Sequence, residues 1–302
     1  MSAQTHPQVS RDLRLAARQG LLPARGGGWL SGFGNMFGKE LGEWFHTSRW
    51  LWQLLSWLII INGFVGVILF VIPWLQSKGV PVVGVGDTSM TPPESQGLYW
   101  AFPLMVIFGI VGVVILAQDE IIQEKQSGTA AWILSKPAAR SAFILTKLLS
   151  NLLGALIFIV ILPGLVTLGE TYLATHKVVS LGAFLAGIGA AWLALACYIS
   201  LVILLGVLFG SRGPVLGIAL GILFGGRMIA SFFPPLAYVL PVTMDGVAQA
   251  IILGMPLPVM LVSQVISTAV LTIVFILVIA ALRRRLRPPT RRADPLPPPG
   301  IC

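Results

Sequence analysis

The chain has 302 residues, of which 56% are hydrophobic and 10% charged, and its mean hydropathy is +0.89. A soluble domain carries about a quarter charged residues, so this composition excludes a water-soluble protein and predicts one membrane domain. The net charge of +9 comes from basic residues in separate segments. Because nucleic-acid binding needs a contiguous basic face, we expect no nucleic-acid partner.

The chain begins with a basic segment, residues 1–32, that lacks the apolar core of a signal peptide. We expect it to be a disordered cytoplasmic tail. The next segment has five apolar residues at helical spacing on one face, which predicts an amphipathic helix lying in the lipid headgroup plane. The alternative is an N-terminal extension of the first membrane span. The five residues are Phe33, Phe37, Leu41, Trp44 and Phe45.

Apolar runs of about 20 residues predict membrane-spanning helices, and the chain contains six of them. They cover residues 52–75, 98–117, 148–168, 181–209, 214–233 and 259–282. The predicted fold is therefore an all-α, polytopic membrane helix bundle over residues 33–282, followed by an Arg- and Pro-rich cytoplasmic tail at 283–302. Small residues four apart, including Gly182 in the fourth run and Gly217 and Gly221 in the fifth, predict close helix packing.

The distribution of basic residues predicts the orientation of the spans. With the N-terminus in the cytoplasm, the cytoplasmic segments hold seventeen Lys and Arg residues and the outer loops only two. Basic residues accumulate on the cytoplasmic side, so both termini are predicted to lie inside the cell. We expect the membrane to be a bacterial cytoplasmic membrane.

The outer segment 234–258 is interrupted by prolines but contains the apolar piece 247–253. This piece is too short to span a bilayer, which favours an interfacial or re-entrant helix. Arg227, near the outer end of the fifth run, either extends its side chain to the interface, pairs with Glu170 or Asp245, or lines a path for an anionic substrate. Glu170 itself is predicted to lie in an outer loop. Asn62 in the first run is a candidate for a hydrogen bond between helices.

The loop 118–147 has more structure than a connector requires. It opens with acidic residues, turns at Gly128, and continues with an apolar-faced segment that Thr129 caps and Pro137 ends. From the residues alone, either a helix that docks another protein or a solvated connector explains this pattern.

This loop resembles the signature region of the ABC-2 type transporter permeases, the membrane subunits of a class of ATP-driven pumps. That family joins its second and third spans by an acidic residue, E-x-x-x-G-T, a hydrophobic-Leu-Ser pair, Pro, and a downstream Arg and Lys. The matching residues here are Glu124, Gly128, Thr129, Leu134, Ser135, Pro137, Arg140 and Lys147.

The resemblance implies that the loop contains a coupling helix that fits a cleft on a nucleotide-binding subunit, which binds ATP and Mg²⁺. The sequence has no G-x-x-x-x-G-K-[ST] phosphate loop, so we expect a separate ATPase subunit, and six spans imply a second permease copy or a paralogue. Export is the expected direction. The coupling residues so implied are Asp119, Glu120, Glu124, Ser127, Gly128, Thr129, Trp132, Ser135, Pro137 and Arg140.

Two other classes of protein compete with a permease. A secondary transporter or a scaffold needs no ATPase, but a proton- or ion-coupled carrier normally has carboxylates inside its spans, and the apolar runs contain none. A membrane-embedded enzyme needs clustered polar residues at one depth, and the sequence shows no catalytic group or metal-ligand spacing. We therefore expect neither enzymatic activity nor a metal site in this chain.

Overall fold

The computed structural model describes residues 30, 32–45, 48–80, 91–126 and 140–282. All regular structure in these residues is helical. Six helices are long and apolar enough to cross a membrane, so the chain is a multi-pass membrane protein. The helices are α1 Phe33–Phe45, α2 Trp50–Ser77, α3 Pro93–Gln123, α4 Ala142–Thr175, α5 Leu181–Leu208, α6 Arg212–Phe232, α7 Met244–Ile252 and α8 Val259–Leu282.

The predicted spans coincide with the observed ones, although α3 and α4 extend well beyond their apolar runs. The bounds given above for α2, α3 and α4 are those of the candidate spans. The helices themselves begin at Arg49 in α2, continue to Gln126 in α3 and begin at Arg140 in α4, and the labels include these ends. Hydropathy detects only the apolar part of a helix, whereas Gln, Glu and Lys remain good helix formers beyond that part. The loop between α3 and α4 therefore leaves the bundle at one end, which we call the loop end. The opposite end, which carries Ser77 and Thr175, is the far end.

The centre of the bundle is α5. It packs against α3, α7 and α8, and 83% of its apolar stretch is buried. The buried share of the apolar stretch is only 28% in α6 and 17% in α8. In a single chain, these two helices therefore leave most of their apolar surface exposed.

The outer segment contains the short helix that its sequence predicts. α7 has nine residues, too few to span a bilayer, and it packs against α5 and α3. Most of its side chains are buried, including those of Met244 and Asp245. A 3₁₀ turn, Pro234–Tyr238, precedes it, and Gly254 follows with a φ of 64°, in the left-handed region that favours glycine. The segment is thus folded back into the bundle.

The close helix contacts occur at other glycines than those predicted. A Cβ added at Gly182, Gly217 or Gly221 would meet nothing within 4 Å, so these glycines make no close contact with the described residues. A Cβ at Gly112 would instead collide with the ring of Trp57, where α3 meets α2. The spacing predicts close approach in general, but the rotation of each helix decides which glycine faces a neighbour.

Candidate functional site

The predicted coupling residues lie at the loop end, and the structure describes only part of that loop. The backbones of Asp119, Glu120 and Glu124 belong to the end of the helix of α3, and Arg140 opens the helix of α4. The side chains of these four residues, and the whole of Ser127, Gly128, Thr129, Trp132, Ser135 and Pro137, lie outside the described residues. The predicted helix in the loop therefore stays a prediction.

A buried ion pair attaches α1 to the base of α4. Nζ of Lys147 lies 3.1 Å from Oε1 and 3.3 Å from Oε2 of Glu40. The two side chains are 4% and 8% exposed, respectively. Such a pair is costly to break, because removing one partner takes a counter-charge away from the other buried charge. The amphipathic helix is thereby fixed to the residue that ends the predicted coupling motif.

Aromatic stacking supports the same contact between α1 and α4. The ring of Trp44, which is buried, stacks on that of Phe158 with 5.7 Å between centroids. A Cβ at Gly154 would lie 2.6 Å from Trp44 Cε2, so only glycine lets the indole lie this close to α4. Phe158 itself belongs to a widened π-helical turn, Leu156–Ile161, a feature often found at functional sites.

The structure corrects two features of the predicted interfacial helix. Trp44 packs inside the protein rather than into the bilayer, and Glu40, which lies off the predicted apolar face, is buried against Lys147 instead of facing water. The remaining residues of the predicted apolar face are partly buried or exposed: the rings of Phe33 and Phe37 stack on each other at 5.4 Å, Leu41 is partly buried, and Phe45 is 43% exposed. α1 is also an element separate from α2, since it ends at Phe45 and the next helix begins at Arg49.

A second polar contact joins α6 to the outer segment near the far end. Nη1 and Nη2 of Arg227 donate to the two carboxylate oxygens of Asp245 at 2.9 and 3.0 Å. Nη1 also donates to the carbonyl oxygen of Val242 at 2.7 Å. Two parallel bonds to a carboxylate are the strongest and most directional arrangement an arginine can make. Of the alternatives for Arg227, the structure contains the pairing with Asp245.

Three neutral hydrogen bonds fix the outer segment further. Thr243 donates to the side chain of Gln264 on α8 at 2.6 Å, and Gln249 donates to the backbone oxygen of Tyr99 on α3 at 3.0 Å. Ser95 donates to the carbonyl oxygen of Ile252 at 2.9 Å. The segment is therefore held by α3, α6 and α8 together, and any change in their spacing must strain it.

Glu170 is not the partner of Arg227, and it does not lie in a loop. It belongs to α4, and its Oε2 accepts a hydrogen bond of 3.3 Å from Nδ2 of Asn62 on α2. The same nitrogen contacts the carbonyl oxygen of Pro163 at 3.0 Å and Oγ1 of Thr167 at 2.9 Å. Asn62 thus makes the predicted bond between helices, whereas the prediction that Glu170 lies in a loop is wrong. The apolar run ended at 168, so hydropathy could not include Glu170 in the helix.

Within the described ranges, no group of three or more His, Cys, Asp and Glu residues could hold a metal ion. The polar contacts described above are instead hydrogen bonds and ion pairs between helices. Sequence reasoning missed the pair of Glu40 and Lys147, which are far apart in the chain. The available signal was a lysine directly before an apolar run and a glutamate on an otherwise amphipathic helix. That signal does not identify which charges meet.

Comparison with known families gives one match that covers most of the chain. The family described as ABC-2 family transporter protein matches residues 35–253, a range that includes most of α1, the loop between α3 and α4, and α7. Comparison with curated proteins gives no match.

Proposed function

Because the chain belongs to the ABC-2 family of transporter proteins, and is therefore the membrane component of an ABC transporter, we propose that its loop end couples it to a separate ATPase subunit. The observation that carries this proposal is the extent of the family match, which includes both the loop 118–147 and the helix α1 that is ion-paired to the loop's last residue, Lys147. ATP and Mg²⁺ would bind the partner, and this chain would not be an enzyme by itself.

The arrangement at the loop end supports a mechanical role. A force on the loop acts directly on α4, which begins at Arg140. The pair of Glu40 and Lys147 and the stack of Trp44 on Phe158 would transmit it to α1. On the other side of the loop, Nε2 of Gln126 donates to the carbonyl oxygen of Gly210 between α5 and α6 at 3.1 Å. Movement of the loop would thus reach α1, α3, α4 and α6 together.

The translocation path would form between two permease copies, or between this chain and a paralogue. The most exposed helices, α6 and α8, offer the surface for a partner. Gly217 and Gly221 lie on an exposed part of α6 with open space at their Cβ positions, and small residues four apart allow close approach of helices in lipid. Gly217→Cys is therefore expected to form a disulfide between two copies on oxidation. Gly63→Cys on α2, which also faces open space, is the control that should remain unlinked.

Two charge reversals at opposite ends of α3 test the coupling. The chain is co-expressed with a candidate ATPase subunit, co-purified, and assayed for ATP hydrolysis in nanodiscs. Glu124→Lys is expected to reduce the amount of co-purified ATPase about tenfold or more, because it reverses a charge in the proposed contact. Glu94→Lys makes the same change at the far end and should have no effect. Equal binding by both variants, or purification of the wild-type chain without an ATPase, would overturn the proposal.

The direction of transport has its own test. We propose export from a bacterial cytoplasm across the cytoplasmic membrane. Inside-out vesicles that contain the complex should accumulate cargo when ATP is added outside, whereas right-side-out vesicles should not. Accumulation only in right-side-out vesicles loaded with ATP would show import.

A further inference from the structure

The carboxylate of Glu170 reaches the lipid-spanning part of the bundle. Its Oε2 bonds to Asn62, which lies about 18 Å from the beginning of α2 and about 22 Å from its end at the helical rise. Asn62 therefore lies near the middle of a helix that is long enough to cross the hydrocarbon core of a bilayer, which is about 30 Å thick. Among the described residues, Asn62 is the only hydrogen-bonding or charged partner of Glu170. A carboxylate held between two candidate spans without a basic partner is costly and marks a functional site.

The surroundings of Glu170 contain more acceptors than donors. Nδ2 of Asn62 has two hydrogens but lies within 3.3 Å of three oxygens, those of Pro163, Thr167 and Glu170. Asn62 is only 4% exposed, and Oδ1 of its side-chain amide is buried without a hydrogen-bond partner among the described residues. A buried acceptor without a hydrogen bond destabilises the fold, and the carboxylate of Glu170 adds a negative charge to the same cluster. The cluster therefore lacks a donor that carries positive charge.

The approach to this cluster is open and apolar. Gly66, one helical turn after Asn62, faces Glu170, and a Cβ added there would lie 3.7 Å from Oε1. No side chain of α2 thus covers that oxygen at this position. The residue after Gly66 on α2, Val67, is 46% exposed, and the residue before Thr167 on α4, Val166, is 41% exposed. A molecule that binds between α2 and α4 would contact apolar side chains and one carboxylate, that of Glu170.

From this geometry we infer that Asn62, Thr167 and Glu170 form a binding site for the ammonium group of a hydrophobic, amine-bearing cargo molecule. The ammonium group has three donors and one positive charge, which matches the excess of acceptors and the carboxylate. The apolar body of the molecule would lie along α2 and α4 in the bilayer. The inference rests on the proposed transport function and specifies the class of its substrate.

Two matched probes test the site in the full chain, reconstituted in nanodiscs of zwitterionic lipid. They are 1-pyrenemethylamine, which is cationic, and 1-pyrenemethanol, which has the same ring system and no charge. Equilibrium dialysis measures their binding, with empty nanodiscs as the background. The wild-type chain is expected to bind the amine about tenfold more tightly than the alcohol.

Three variants show whether Glu170 is responsible for that preference. Glu170→Gln should abolish it, and Gly66→Leu should also abolish it because the added side chain covers Oε1 while the charge remains. Glu94→Gln removes a carboxylate elsewhere and should leave the preference intact. Elution of each variant as wild type on size exclusion confirms folding. Equal binding of both probes to the wild-type chain, or an unchanged preference in Glu170→Gln, would overturn the inference.

An infrared measurement separates an ammonium site from a carboxyl group that keeps its own proton. A protonated-acid carbonyl band at neutral pH that disappears in Glu170→Gln, together with no preference for the amine, would show that Glu170 is neutral and would overturn the inference. Because the binding assay contains no ATPase, its outcome is independent of coupling. A preserved amine preference with an ATPase that ignores Glu124→Lys would refute the coupling and leave this site standing.

Discussion

The ion pair between Glu40 and Lys147 gives a prediction whose magnitude follows from the structure. Glu40→Gln keeps the size of the side chain but removes the charge that lies 3.1 and 3.3 Å from Nζ of Lys147. Removing one partner of a buried pair costs about 3–5 kcal/mol. Nζ also lies 5.7 Å from the ring centroid of Phe143, which retains part of the stabilisation, so we expect about 3 kcal/mol.

Hydrogen exchange of the α1 amides measures this loss directly. A helix of 13 residues is marginal by itself, so release of α1 from α4 should let its amides exchange. A loss of about 3 kcal/mol corresponds to about hundredfold faster exchange. The amides of α5, in the centre of the bundle, should exchange at an unchanged rate, and Glu94→Gln should leave α1 protected.

A double-mutant cycle with Lys147→Met isolates the interaction itself. If the pair is responsible, the double variant will be less destabilised than the sum of the single variants, because no buried charge is left without its partner. Exchange in α1 that rises less than threefold in Glu40→Gln, or additive effects in the cycle, would refute the reasoning.

Two further predictions concern packing and the outer segment. Gly112→Ala is expected to lower the free energy of unfolding by about 1–3 kcal/mol, measured by thermal unfolding in detergent, because the added methyl group collides with the ring of Trp57. Asp245→Asn removes the charge from both bonds to Arg227, which should cost about 1.5–3 kcal/mol and expose the segment 234–258 to limited proteolysis from the far side.

Each of these changes has a matched control variant. Gly217→Ala introduces the same methyl group on α6, where a Cβ meets open space, and should leave the unfolding temperature of the monomeric chain nearly unchanged. Gln249→Ala removes one neutral hydrogen bond from α7 and should increase proteolysis less than Asp245→Asn does. A Gly112→Ala variant as stable as Gly217→Ala would contradict the packing, and equal cleavage of the two α7 variants would contradict the importance of the ion pair.

The positions of the membrane helices were predictable because lipid requires long, continuous apolar runs. The runs at 181–209 and 259–282 end within one residue of α5 and α8. The ends of α3 and α4 were underestimated, since their polar residues remain helical outside the apolar layer. Because the third apolar run ends at residue 168, Glu170 was predicted to lie in a loop, although it lies in α4.

The candidate sites were predictable only in part. A charge inside an apolar run is visible in the sequence, so Arg227 and Asn62 were recognised as residues that need partners. The sequence left Arg227 with several alternatives, and the fold of α7 against α5 and α3 decided for Asp245. The pair of Glu40 and Lys147 depends on α1 lying against α4, which no local pattern specifies.

The sequence by itself predicted the six long apolar helices that the described residues contain and the family to which the chain belongs, because apolar length and short motifs are local properties of the chain. Only the tertiary structure decided which glycines face a neighbouring helix, which carboxylate binds Arg227, and that Glu170 is hydrogen-bonded to Asn62. These contacts depend on the rotation and the relative height of helices that are distant in sequence. Packing across the whole bundle sets both quantities, and no segment of the chain specifies them alone.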